Sequence, residues 1–114
     1  MLIYKIFRAI EWTNLRVDGT TIGAPIDIND GYIHFSTANQ VKETATKYFA
    51  DLDDLFLIAV DKNTLGDDLK WEPSRGGVLF PHLYRKMTIA DVYWAKPLLL
   101  KDRIHQFPTE VKFE

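Results

Sequence analysis

No cysteine occurs anywhere in the 114 residues. That absence excludes disulfides, thiolate catalysis and cysteine-ligated zinc, and it suits a reducing, cytosolic compartment. No stretch approaches the roughly 20 apolar residues of a membrane span. Met1 to Arg8 is apolar too briefly, and charged too soon, for a secretory signal, so no membrane partner is expected. Charge of one sign is not in excess either. The 14 basic and 16 acidic side chains leave a formal net charge of −2, which argues against a broad electropositive face for duplex DNA but leaves room for a small basic pocket. Repeats, low-complexity tracts and linkers are missing. So are the GxGxxG, Walker A, HExxH and GxSxG patterns, each of which would announce a chemistry.

What is present fits one domain spanning residues 1–114, long enough to bury a core without staples. Hydrophobic residues make up 46% of the chain, a globular share rather than a disordered one. Residues 2–7 read as a first strand, and residues 9–17 as a short helix ended by Asp18-Gly19. Residues 20–29, punctuated by Gly23 and Pro25, read as a loop. Asp30-Gly31 is a turn before a short strand, Tyr32 to Phe35. Thr37 then caps a helix, with Gln40 placed to reach back. Val41, Ala45, Tyr48 and Phe49 give that helix one apolar stripe.

The continuous apolar run Leu55 to Val60 predicts a central strand covered on both faces. Further strands are expected at 69–72, at 78–84 and at 92–100. Pro81 suggests an edge or irregular position for the second of these, and Pro97 an interruption in the third. Thr88 to Asp91 reads as a single turn. The charged tail from Asp102 is expected to be only partly ordered. Strands outnumber the two expected helices, both in the first half. The fold class is therefore α+β: a curved mixed or antiparallel sheet with helices packed on it.

Candidate chemistry gathers in two segments. His34 sits between Ile33 and Phe35, so its side chain opposes theirs and shares a face with Ser36. Thr37 opens a helix N-terminus beside it, a suitable place for a phosphate, ribose or carboxylate. A hydrogen-bonded structural histidine beside an ordinary cap explains the same residues. Pro81-His82-Leu83-Tyr84 is the second segment. His82 and Tyr84 would share a strand face, one exchanging a proton near neutral pH and the other stacking on a planar ligand. A buried aromatic cluster is the plainer alternative. Glu72, at a strand end, could orient a hydroxyl, act as a base or stabilise an oxocarbenium-like cation, or could simply pair with Arg75. Lys70, Arg75, Arg85 and Lys86 surround these loops and could meet an anion, or be scattered solvated charge. His105 belongs to the tail and reads as structural or exposed. The spacing of His34, Glu72 and His82 matches no metal motif, and no metal site is assigned.

With those residues in view, the chain resembles a small bacterial family of uncharacterised proteins, domain-of-unknown-function family 952. The resemblance rests on Asp30-Gly-Tyr-Ile-His-Phe-Ser-Thr37 with Gln40, the strand Leu55 to Asp61, Glu72, and Phe80-Pro-His-Leu-Tyr84, in that order. Lys5 stands where the family often has histidine, and Arg85-Lys86 where Gly-Pro is common. The family is similar in fold to ADP-ribosyltransferase-type domains, including the RNA 2′-phosphotransferases, which cradle NAD or an ADP-ribose-like group between two sheet halves. The resemblance thus implies an ADP-ribosyltransferase-like fold and a transferase or hydrolase acting on NAD or an ADP-ribose-like nucleotide, with NAD as the candidate cofactor. His34, Glu72 and His82 would serve catalysis. Lys5, Ser36, Thr37, Arg75 and Tyr84 would bind the ligand. The rival expectation is a non-catalytic module that binds a small anion or another protein.

Overall fold

Alternation along the first strand divides the core. A computed structural model describes residues 1–113, with the side chain of Arg75 outside the described residues. β1 (Leu2–Arg8) sends Ile3 and Phe7 into one apolar cluster and Tyr4 and Ile6 into another on the opposite face. It pairs with β4 (Leu55–Asp61), from Leu2 opposite Asp61 to Arg8 opposite Leu55. β4 in turn pairs with β8 (Val92–Lys101), which carries β9 (Ile104–Gln106) on its outer side. β4 is therefore interior within its sheet, and its alternating residues feed both clusters. Such burial on both faces is what a continuous apolar run provides.

A second sheet runs β3 (Ile33–His34), β6 (Leu79–Leu83), β5 (Leu69–Pro73). A bridge between Tyr4 and Ser36, with each amide donating to the other's carbonyl at 2.8 Å, continues it from β1. A short ladder, β2 (Thr20–Thr21) with β7 (Met87–Thr88), stands beside it. Every strand pairing among the described residues is antiparallel. The result is an α+β domain built on a curled antiparallel sheet with three α-helices.

α1 (Ala9–Asp18) follows β1 directly and stops at Gly19, whose φ of 79° makes the left-handed C-cap. α3 (Ala38–Tyr48) lays Val41 and Ala45 on the cluster that holds Leu55, Leu57 and Leu98. Tyr48 leaves the expected stripe and is exposed.

Several expectations need correction. Residues 20–29 are not a loop: they hold β2 and most of a third helix, α2 (Pro25–Asp30). Six residues carry too little periodicity to show, but Pro25 at the first position and Asp27 in the first turn are helix-start features. Pro81 lies on β6, the middle strand of its sheet rather than an edge. Its carbonyl accepts from Phe35 N–H at 2.9 Å, just past the end of two-residue β3. The missing proline N–H faces that same flank, where no further ladder bond is required. Pro97 does not interrupt β8, which runs through it opposite Phe56. The irregularity falls instead opposite Ala59 and Val60, which pair with Trp94 and Val92 and leave Tyr93 as the extra residue. The tail forms β9 and buries Val111 in the α3-side cluster; only Glu114 lies outside the described residues.

Candidate functional site

His34 and His82 are direct cross-strand partners on β3 and β6, with ring centroids 5.2 Å apart. The β3–β6 pairing thus joins the two segments singled out in the sequence. Ile33, Phe35 and Leu83 turn into the core, which leaves the histidines on the other face. Glu72, on β5, is diagonal to His82 and reaches it: His82 Nδ1 donates to Glu72 Oε1 at 2.8 Å. Tyr84 O–H donates to the same oxygen at 2.6 Å. The Tyr84 hydroxyl and then His82 hold the Glu72 carboxyl below its ordinary value. In return the hydrogen bond to Glu72 pushes the Tyr84 hydroxyl from 10.0 up to about 12. Among the described residues Glu72 is held by His82 and Tyr84; its expected pairing with Arg75 falls on a side chain outside the described residues.

His34 has different support. Its Nδ1 lies 2.6 Å from Asp27 Oδ1, and its backbone N–H donates to that oxygen at 3.0 Å. Its Nε2 lies 3.0 Å from Asp30 Oδ2. Asp27 is fully buried and also binds the Lys5 ammonium, at 2.9 Å through Oδ1 and 2.7 Å through Oδ2, and the Ala24 N–H at 2.7 Å. Burial alone would raise the Asp27 carboxyl. The His34 hydrogen bond and the Lys5 charge outweigh it and hold the group below its ordinary value. Gly23, at φ 102°, packs so closely that a Cβ there would run into this carboxylate.

Tyr32 packs against both histidines. Its ring centroid is 4.2 Å from that of His82, 4.6 Å from His34 and 5.2 Å from Tyr84. Asp30, Tyr32, His34 and His82 border a cleft of 530 Å³ that opens between β1, α2, β3 and α3, whereas Glu72 and Tyr84 stand behind His82 and are not among its lining residues. Lys5, Arg8, Ser36, Phe35, Phe80 and Phe49 contribute to its walls. Ser36 Oγ shares a hydrogen bond with Thr44 Oγ1 at 3.0 Å. Thr37 is the N-cap residue of α3, where its N–H donates to Gln40 Oε1 at 3.0 Å, and it is not among the lining residues. A separate hollow of 630 Å³ lies between α3 and the tail; it is lined by His105 and by none of the candidate catalytic or ligand-binding residues. Its Arg103 is bound to Asp51 at 2.9 Å and its Lys42 lies over the Phe113 ring. Arg85, one of the loop cations, forks onto Asp91 at 2.9 and 3.1 Å. His105 Nε2 lies 2.9 Å from the Leu52 carbonyl oxygen. Among the described residues, no group of three or more His, Asp or Glu side chains is placed to hold a metal ion.

Asp27, Asp30 and Tyr32 are the members that sequence reasoning missed. Asp27 and Asp30 were legible in principle through the Pro25 helix start: a recognised α2 puts Asp27 on its first turn and Asp30 four residues before His34. Tyr32 carried no such signal beyond standing two positions from His34 on the same side of a strand.

The fold and site define a class: an α+β domain whose curled antiparallel sheet presents two carboxylate-bound histidines at one cleft. The chain belongs to the family described as "Protein of unknown function (DUF952)", which matches residues 6–95. It is similar to Protein CC0527 from Caulobacter crescentus. The crystal structure of that protein is 44% identical, with a TM-score of 0.89 over 93% of this chain and 94% of that one. Its solution NMR structure gives 43% identity and a TM-score of 0.82 over 91% and 90%. No curated protein matches the chain.

Proposed function

We propose that the chain is a cytoplasmic transferase or hydrolase acting on NAD or an ADP-ribose-like nucleotide, with a fold related to the ADP-ribosyltransferase-type domains. The observation that carries this reading is the state of His82. Its Nδ1 is fixed on Glu72, while its Nε2 is buried and has no hydrogen-bond partner among the described residues. A carboxylate only accepts, so Nδ1 carries the hydrogen, and in the neutral ring Nε2 keeps a lone pair. An imidazole oriented by a carboxylate and lining a cleft is the arrangement of a general base. In this reading His82 exchanges a proton with the substrate, Glu72 orients it, and Tyr84 steadies Glu72.

The apolar walls at Phe49 and Phe80 suit a flat ring. Arg8, with Lys5 behind it, supplies positive charge toward a phosphate. His34 and Ser36 face the ribose or phosphate, with Thr37 and Arg75 as further candidates for the phosphate side. A second reading, a module that binds a small anion or a protein without turnover, is favoured by one observation. Both ring nitrogens of His34 face carboxylates and Lys5 is offset by Asp27, so much of the site's charge is already paired.

The test is a melt of the wild type with NAD, ADP-ribose and simpler nucleotides, followed by product analysis on any that bind. An enzyme of this kind raises its melting temperature with one of them and turns it over. His82→Gln should keep that shift and lose turnover by about 10²–10⁴-fold. Binding without products would select the second reading, and no shift with any nucleotide would end the first.

A further inference from the structure

A buried imidazole nitrogen without a partner is costly, because it gave up water and received nothing in return. His82 Nε2 is in that position, on a residue only 2% exposed. Yet His82 contributes to the wall of an open cleft. Tyr32 packs directly on that imidazole: its ring is tilted at 45° against the His82 ring with 4.2 Å between centroids. The same ring meets His34 and Tyr84 edge-on. It therefore stands in the middle of the site and touches both of its histidines.

Tyr32 sits at a junction between two short elements. The residue follows Gly31, the left-handed cap at φ 86° that ends six-residue α2, and precedes β3, which is two residues long. Its own side chain is only half-buried. An aromatic ring in such a place is replaceable by another flat ring of similar size, since offset and edge-on contacts are made by any π-face.

We infer that Tyr32 is an aromatic gate and specificity-determining residue: its ring closes over His82 Nε2, and a ligand reaches that nitrogen by bringing a flat ring that takes over the contacts Tyr32 makes. This rests on the nucleotide reading for the identity of the ring, but the gate itself can be tested without any ligand. The site would then admit compounds with a planar heterocycle beside the reacting bond, and would leave His82 closed to small phosphates that lack one.

Diethyl pyrocarbonate acylates an unprotonated imidazole nitrogen, and His82 offers only Nε2 for this. Modification of each histidine can be followed by mass spectrometry of peptides. In the wild type His82 should react slowly. In Tyr32→Leu, which keeps apolar volume but removes the ring, His82 should react roughly tenfold faster, the factor that about 1.4 kcal/mol of gate closure corresponds to. Tyr32→Phe, which keeps the ring, should protect His82 as the wild type does. His105, held at the far tail on Leu52, is the internal control and should react at one rate in all three proteins. Acceleration of His82 and His105 together would report unfolding, and Tyr32→Phe then decides. If Tyr32→Phe exposes His82, the ring is not the gate. Rapid modification of His82 in the wild type, or unchanged protection in a folded Tyr32→Leu, overturns the inference. A last arm adds NAD or inorganic pyrophosphate to Tyr32→Leu. Shielding of His82 by NAD and not by pyrophosphate is expected. Shielding by both overturns the ring specificity. A gate seen in the first arm with shielding by neither removes the nucleotide reading while Tyr32 remains the gate.

Discussion

The two histidines of the cleft are built as inversions of one another. At His34 the carboxylate is buried and the imidazole is partly open: side-chain exposures are 0% for Asp27 and 29% for His34. At His82 the imidazole is buried and the carboxylate is open, with 3% for His82 and 38% for Glu72. A buried carboxylate must be surrounded by donors, and Asp27 collects Lys5, His34 and the Ala24 amide. That makes it a structural hub. An open carboxylate needs no such company, so Glu72 is free to orient His82 at little structural cost. The difference separates two arrangements: the first pair ties β1, α2 and β3 together, and the second leaves one imidazole nitrogen buried and without a partner among the described residues.

Substitutions can break or sharpen that contrast. The largest effect is expected at the hub. Asp27→Ala strands the buried Lys5 ammonium and should cost about 3–5 kcal/mol in denaturant unfolding. A loss below that of an ordinary surface substitution would remove the hub from the argument. His34→Ala takes one donor from a carboxylate that keeps others, and should cost about 1–3 kcal/mol. His82→Leu removes the unpartnered nitrogen along with the ring, so its stability should stay within about 1 kcal/mol of the wild type while any turnover disappears. A His82 variant that unfolds more readily than the His34 variant would reverse the assignment of roles.

Acid unfolding separates the carboxylates further. The Asp27 carboxyl titrates below 3.8 in the folded chain. Its contribution is complete above that value and is lost as pH falls through the lower folded-state value. The wild type should therefore weaken as acid passes below the usual carboxylate range. Asp27→Asn should start weaker at neutral pH and show a flatter limb there, whereas Glu72→Gln should follow the wild type closely because solvent screens the open group. A steep acid limb retained in Asp27→Asn would place the sensitivity elsewhere. The smallest effect is spectroscopic. Tyr84 should ionise near 12 in the wild type and return toward 10.0 in Glu72→Gln, read as a difference in ultraviolet pH titrations. No change between the two would mean that the Tyr84–Glu72 bond is not made in solution.

The parts of this molecule that could be read in advance are those set by local pattern. β4 announced itself as Leu55 to Val60, and α3 through its Thr37 cap and the Val41–Ala45 stripe. His34 facing away from Ile33 and Phe35 followed from strand alternation alone. The cross-strand meeting of His34 and His82 did not, because register between segments separated by more than forty residues is decided by the whole sheet. Pro81 was misleading for a related reason: a proline rules out a central strand only if its missing N–H faces a neighbour, and β3 is too short to provide one there. α2 escaped notice because six residues cannot display a helical period, and with it went Asp27, whose partners lie on β1 and β3.

The pairing of Lys5 with Asp27 across 22 positions also sets an order of assembly. A six-residue helix does not stand alone. α2 is held by a lysine from β1 and by His34 of β3, so it can close only after those strands have found their own partners. It should then be among the last segments to form and the first to open. Destabilising Asp27 would accordingly speed unfolding and leave the folding rate nearly unchanged, the kinetic mark of contacts absent from the transition state. The cleft wall that α2 supplies would come into being only as the domain is finished.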